Sequence, residues 1–129
     1  MIVVDASVVI GVLIADSATS KIDKLIAAQD WLVAPELIDL EITNVLRRLE
    51  RLRRVSEPDA ASLLDHYLKL RILRFSVTGI LGDIWKMRQN LTAYDASYVA
   101  LAISLELTLY TRDAKLAAAA GHGAKIVLI

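Results

Sequence analysis

The chain has 129 residues, equal numbers of basic and acidic side chains (15 each) and no cysteine. This length is naturally one domain, residues 1–129, with room for a real core. Zero net charge excludes strong generic attraction to nucleic acid, so any contact with a phosphate backbone must come from a local patch, and the lack of cysteine excludes disulfides and thiolate metal sites and fits a cytoplasmic protein.

The hydrophobic fraction is 56% and the mean hydropathy +0.50, both high. Such a composition is expected of a parallel sheet covered on both faces and is compatible with a large subunit interface. The longest apolar run, Ala6–Ala15, has ten residues, well short of the roughly 20 needed to cross a bilayer. No basic segment precedes it and Asp5 interrupts the apolar start, so neither a membrane span nor a signal peptide is expected.

Taken in order, Ile2–Val4 reads as a short strand, Val8–Ile14 as a helix or helical turn, Ser20–Ala28 as a second helix and Trp31–Val33 as a strand. Pro35 is placed at the start of a helix running to about Leu52, because a missing N–H is tolerated there. Glu57–Leu70 is a helix opening with Pro58, Ile72–Phe75 a strand, Gly79–Gln89 a helix and Tyr94–Leu105 another. Thr108–Tyr110 is a strand, Asp113–Ala120 a helix and Lys125–Leu128 the last strand. This alternation predicts an α/β fold with a parallel sheet between helical layers.

Four acids stand in otherwise apolar settings: Asp5, Glu41, Asp95 and Asp113. A lone buried carboxylate is costly, and four gathered together repel one another unless a cation sits between them. Carboxylate donors suit a hard cation such as Mg²⁺ or Mn²⁺, and such sites commonly serve phosphodiester hydrolysis. Each acid also has a structural reading. Asp5 follows the first strand and either it or Ser7 caps the next helix; Asp113 does the same after the Thr108–Tyr110 strand. Asp95 completes a capping box begun by Thr92. Capping does not account for Glu41, which lies beside the apolar stripe of its helix, with Leu37 and Val45 four residues to either side. Nor does capping account for two acids at strand carboxyl ends, where open parallel sheets bind ligands.

Asp5-Ala-Ser7, Glu41 in a helix continuing to Asn44-Val-Leu, Tyr94-Asp95-Ala-Ser-Tyr-Val-Ala-Leu-Ala102 and Thr111-Arg-Asp113 with Leu116 together resemble the PIN-domain ribonucleases. Length and motif order are similar to the VapC toxins of type II toxin–antitoxin pairs, and the resemblance spans the chain. It implies a PIN-like three-layer α/β/α fold with a central, mostly parallel sheet, and a Mg²⁺- or Mn²⁺-dependent endoribonuclease. Asp5, Glu41, Asp95 and Asp113 would form the acidic, metal-holding quartet, Asp5 and Asp95 as direct ligands and Glu41 and Asp113 as residues that position water. Ser7 and Thr111 would be supporting polar groups. The resemblance further implies a homodimer held inactive by a cognate VapB-like antitoxin. Some PIN nucleases carry a further acid just after the position of Asp113; here Ala114, Lys115 and Leu116 follow.

Five arginines fall within Arg47–Arg54, and Arg47, Arg51 and Arg54 have the spacing of one helical face, a candidate contact for RNA or antitoxin. His66 and His122 lack metal-ligand spacing, and the glycines match no phosphate-binding loop. Trp31 and Trp85 are expected in the core or at a dimer interface. Two competing functions are a catalytically inactive PIN-like RNA- or protein-binding module and a metal-dependent phosphatase of another α/β class; an aspartyl-phosphate enzyme would usually carry Asp-x-Asp after the first strand, and Asp5-Ala6-Ser7 lacks the second Asp.

Overall fold

A computed structural model describes residues 1–14, 19–119 and 121–129. Five short strands form one sheet: β1 (Ile2–Val4), β2 (Leu32–Pro35), β3 (Ile72–Phe75), β4 (Leu109–Thr111) and β5 (Ile126–Leu128). Their order is β3-β2-β1-β4-β5, and every neighbouring pair is parallel. The expected mostly parallel sheet is therefore parallel throughout. Parallel neighbours need crossovers, which are helical: α1 (Ala6–Leu13) and α2 (Thr19–Ala27) after β1, α3 (Ile38–Arg51) and α4 (Glu57–Leu68) after β2, α5 (Leu81–Lys86) and α6 (Ala93–Ser104) after β3, and α7 (Ala114–Ala118) after β4.

The central strands read as unbroken apolar runs because both sheet faces are covered. Every residue of β1 and β2 is buried. On one side α3 presents the stripe Ile38, Ile42 and Leu46, at the four-residue spacing that keeps one helix face on the core. Helix α6 is buried without a break from Ala96 to Ala102. Its small residues, Ala96, Ser97, Ala100 and Ala102, let it lie close to its neighbours. The chain leaves β1 toward β2 and β3, then crosses back to place β4 on the other side of β1. The strand order thus reverses between β1 and β4, the kind of switch point beyond whose strand ends open α/β sheets bind ligands.

Several sequence expectations shift. Pro35 ends β2 instead of opening a helix. It pairs with Phe75 of β3 but lies beyond the last residue pair with β1, so its missing N–H breaks no ladder on that side. The helix expected at Gly79–Gln89 is split into a 3₁₀ turn, Thr78–Ile80, and α5. The last helix spans Ala114–Ala118, with Ala120 outside the described residues. Trp31 and Trp85 are 41% and 66% exposed, so neither is a core residue; the Arg88 guanidinium lies 4.4 Å from the Trp85 ring centre. The arginine face also breaks up. Helix α3 stops at Arg51, and Arg53 takes a left-handed φ of 55°, letting the Arg54 amide donate to the Leu49 carbonyl. Arg47 lines the groove against α4, whereas Arg54 lines a separate depression with Arg48.

The first turn of α3 is fixed by a polar clamp. The Tyr67 hydroxyl from α4 donates to Asp39 Oδ1 at 2.5 Å, and Arg74 Nε from β3 approaches both Asp39 oxygens at 2.8 and 2.9 Å. The ion pair is partly exposed, so its own contribution is small. The phenol matters more, since Tyr67 is almost fully buried. Burial and the adjacent Asp39 carboxylate raise its pKa well above the ordinary tyrosine range, so it remains a donor. Asp39→Ala is expected to destabilise the protein by about 1–3 kcal/mol, the penalty for orphaning a buried donor. Chemical denaturation measures this, and an unchanged midpoint would remove the clamp from the account of stability.

Candidate active site

Asp5 directly follows β1 and caps α1, accepting from the Val8 amide at 3.1 Å. Its carboxylate also accepts from Ser7 Oγ at 2.6 Å and from the Thr111 hydroxyl at the end of β4. Both hydroxyls are themselves acceptors: Ser7 Oγ receives the Arg112 amide at 2.7 Å and Thr111 Oγ1 the Asp113 amide at 2.9 Å. A small hydrogen-bonded lattice thus joins the β1–α1 corner to the β4–α7 corner across the point where the strand order reverses. Asp5 is 6% exposed and Thr111 is fully buried. Asp113 is exposed and caps α7, its Oδ1 accepting from the Lys115 and Leu116 amides.

Two further acids come from the helices. Asp95 sits in the first turn of α6, where the Thr92 side chain accepts its amide at 3.2 Å. Glu41 sits in the first turn of α3, and its Oε2 accepts from the Tyr98 hydroxyl of α6 at 2.7 Å. Three of the four carboxyls have raised pKa values, with burial the largest cause in each. Asp5 is raised by burial, against the opposing donors Ser7, Thr111 and Val8. Glu41 is raised by burial and by the charges of Asp5 and Asp95, with Tyr98 opposing. Asp95 is raised by burial and by the charges of Asp113 and Asp5, with Thr92 opposing. The four acids therefore share one field, with Asp5 acting on both helix acids. Among the described residues no three of these side chains converge into a closed set of metal ligands. As hard oxygen donors they suit Mg²⁺ or Mn²⁺.

The structure brings Asp5, Glu41, Asp95, Asp113, Ser7 and Thr111 into one region and leaves the arginines outside it. Arg51 lies ten residues beyond Glu41 on α3, about 15 Å along the helix axis. Beside Glu41 a cleft of about 490 Å³ is lined by Leu37, Leu40, Asn44 and Tyr94 as well. The sequence reading missed Tyr98 as a polar partner. The available signal was its place three residues after Asp95, on the same helix face, with a phenol that must find an acceptor when buried.

The PIN domain family matches residues 2–122. The chain belongs to the PIN-domain family. This PIN domain is 43% identical to a VapC ribonuclease of Mycobacterium bovis, over 90% of this chain and 88% of that one. It is 36% identical to ribonuclease VapC1 of Mycobacterium tuberculosis, over 98% and 96% of the two chains. Among solved structures it is similar to PAE2754 from Pyrobaculum aerophilum, with a TM-score of 0.70 and 31% identity over 97% of this chain and 82% of that one. It shares its fold with the sarcin–ricin loop cleaving toxin VapC20 of M. tuberculosis, with a TM-score of 0.66 and 16% identity over 92% and 94% of the chains.

The field in this PIN domain has a consequence for stability. Glu41 keeps its proton in the folded state at pH values where the unfolded chain has released it. The native state then binds more protons, so this contribution to stability falls as pH rises from about 4 through the raised value. In buffer without divalent cations, the melting temperature of Glu41→Gln relative to the parent should climb as pH rises above the ordinary glutamate range of about 4. A difference that stayed constant with pH would contradict the shared field.

Proposed function

We propose that this protein is a metal-dependent endoribonuclease, the toxin of a VapBC-type pair. The supporting observation is that four carboxylates, from the end of β1, α3, α6 and the β4–α7 corner, lie in one field, three of them raised by burial and two of those also by their neighbours' charges. Relatives named as ribonucleases weigh against the inactive binding module. When bound, Mg²⁺ or Mn²⁺ would activate water and neutralise charge on the scissile phosphate. Asp5 and Asp95 would hold the cation, and Glu41 and Asp113 would orient water. Ser7 and Thr111 aim Asp5, each also held by accepting the Arg112 or Asp113 amide.

The substrate is RNA, the partner a cognate VapB-like antitoxin and the assembly a homodimer acting in the cytoplasm. Among the described residues no helix is long and apolar enough to cross a membrane. Arg47, Arg51 and Arg54 would contact RNA or antitoxin at the far end of α3, on more than one face.

Purified, antitoxin-free protein is expected to cut total cellular RNA with Mg²⁺ or Mn²⁺ and to stop with EDTA. Asp5→Asn keeps the size of the side chain and an oxygen acceptor for the Val8 amide, but loses the charge. It is expected to abolish detectable cleavage while melting close to the parent. Normal cutting by this variant would overturn the assignment.

A further inference from the structure

The first turn of α3 carries two acids, Asp39 and Glu41, that point in opposite directions, roughly 200° apart around the helix axis. Each is bound by a buried tyrosine from a different helix. Tyr67 of α4 holds Asp39 at 2.5 Å, and Tyr98 of α6 holds Glu41 Oε2 at 2.7 Å. Two phenol–carboxylate bonds on opposite sides thus fix the rotation of α3. They differ in one respect: Asp39 is part of the structural clamp with Arg74, whereas Glu41 belongs to the acid site.

We infer that Tyr98 is a positioning residue for the acid site, its buried phenol holding the Glu41 carboxylate of α3 in register with Asp95 on its own helix. The inference rests on the nuclease reading above. Tyr98 is 2% exposed and lies within the buried stretch of α6, so its ring cannot swing away and its hydroxyl needs a buried acceptor. Glu41 is only half buried and has three side-chain torsions, so its own helix does little to fix its head. The hydrogen bond engages Oε2, leaving Oε1 to serve the site. Asp95 and Tyr98, three residues apart, lie on one face of α6. A single rigid helix therefore supplies one carboxylate and sets the direction of a second. Partners of this kind, behind groups that hold a cation or its bound water, tune affinity and activity without touching the substrate.

The test compares Tyr98→Phe with Tyr67→Phe, each with Glu41 or with Glu41→Gln. The readouts are Mn²⁺ binding by calorimetry, melting temperature, and kcat and KM on RNA that the parent cuts. Tyr98→Phe keeps the ring and is expected to melt near the parent, bind Mn²⁺ about tenfold more weakly and lose kcat with little change in KM. It should add no further loss of Mn²⁺ affinity in the Glu41→Gln background. Tyr67→Phe removes a similar buried hydroxyl and should lower the melting temperature while leaving Mn²⁺ affinity unchanged. Parent-like Mn²⁺ binding and kcat in Tyr98→Phe would overturn the positioning role, as would an equal loss of Mn²⁺ affinity with Gln at position 41. A parent protein that bound no Mn²⁺ and cut no RNA would overturn the nuclease reading and this inference with it, a result distinct from either.

Discussion

The structure turns on one buried carboxylate, Asp5, held where the strand order reverses. It directly follows β1, the central and fully buried strand, so its charge is held at the edge of the core. Three donors, the Val8 amide and the Ser7 and Thr111 hydroxyls, make its burial tolerable. Those donors come from α1 and from β4, so the charge can be kept only if the two corners meet correctly. Residues 5 and 111 are far apart in the chain, and the hydrogen bond between them closes the crevice from one strand end to the next.

The remaining acids follow from this centre, and the tension among them is a general property of functional sites. Burial raises the pKa values of Asp5, Glu41 and Asp95, and neighbouring charge raises those of Glu41 and Asp95 further. A sheet–helix protein of this composition has ample apolar residues to fill the same volume. Keeping carboxylates there lowers the stability of the cation-free protein at neutral pH, and a bound cation would return it by mass action. The hydrogen bonds around the site direct oxygens more than they neutralise charge: Ser7 and Thr111 on Asp5, Tyr98 on Glu41, the helix amides on Asp113.

Helix capping and site formation are compatible. Asp5 and Asp113 cap helices in the ordinary way, and Asp95 lies in the first turn of a helix capped by Thr92. A carboxylate at a helix N-terminus has its backbone position fixed by the cap and its charge favoured by the dipole. Three acids are thus placed by local rules at the ends of elements whose arrangement then gathers them. Glu41 has no cap to hold it, and a phenol from another helix takes that part.

Much was legible from local pattern alone. The apolar β-branched run Ile2–Val4 and the unbroken apolar stretch of α6 announce buried elements, and strand–helix alternation announces a parallel sheet, because these signals depend on near neighbours in the chain. Asp5, Glu41, Asp95 and Asp113 are legible as candidates for the same reason, each acid standing out against its apolar surroundings, whereas Ser7 and Thr111 join them through the resemblance to a family. What the sequence could not decide was anything set by two distant segments meeting. Pro35 looked like a helix start because its lack of an N–H suits that position; only the end of the β1 ladder and the pairing with Phe75 showed a strand end that suits it too. Arg47, Arg51 and Arg54 share a face only while the helix lasts, and the left-handed turn at Arg53 ends it. The bonds from Tyr67 to Asp39 and from Tyr98 to Glu41 span 28 and 57 residues, and no local periodicity encodes them. Local pattern marks which acids stand against apolar surroundings; the meeting of distant segments sets which hydroxyls reach them, because a buried donor is satisfied by whatever acceptor the packing brings within about 3 Å.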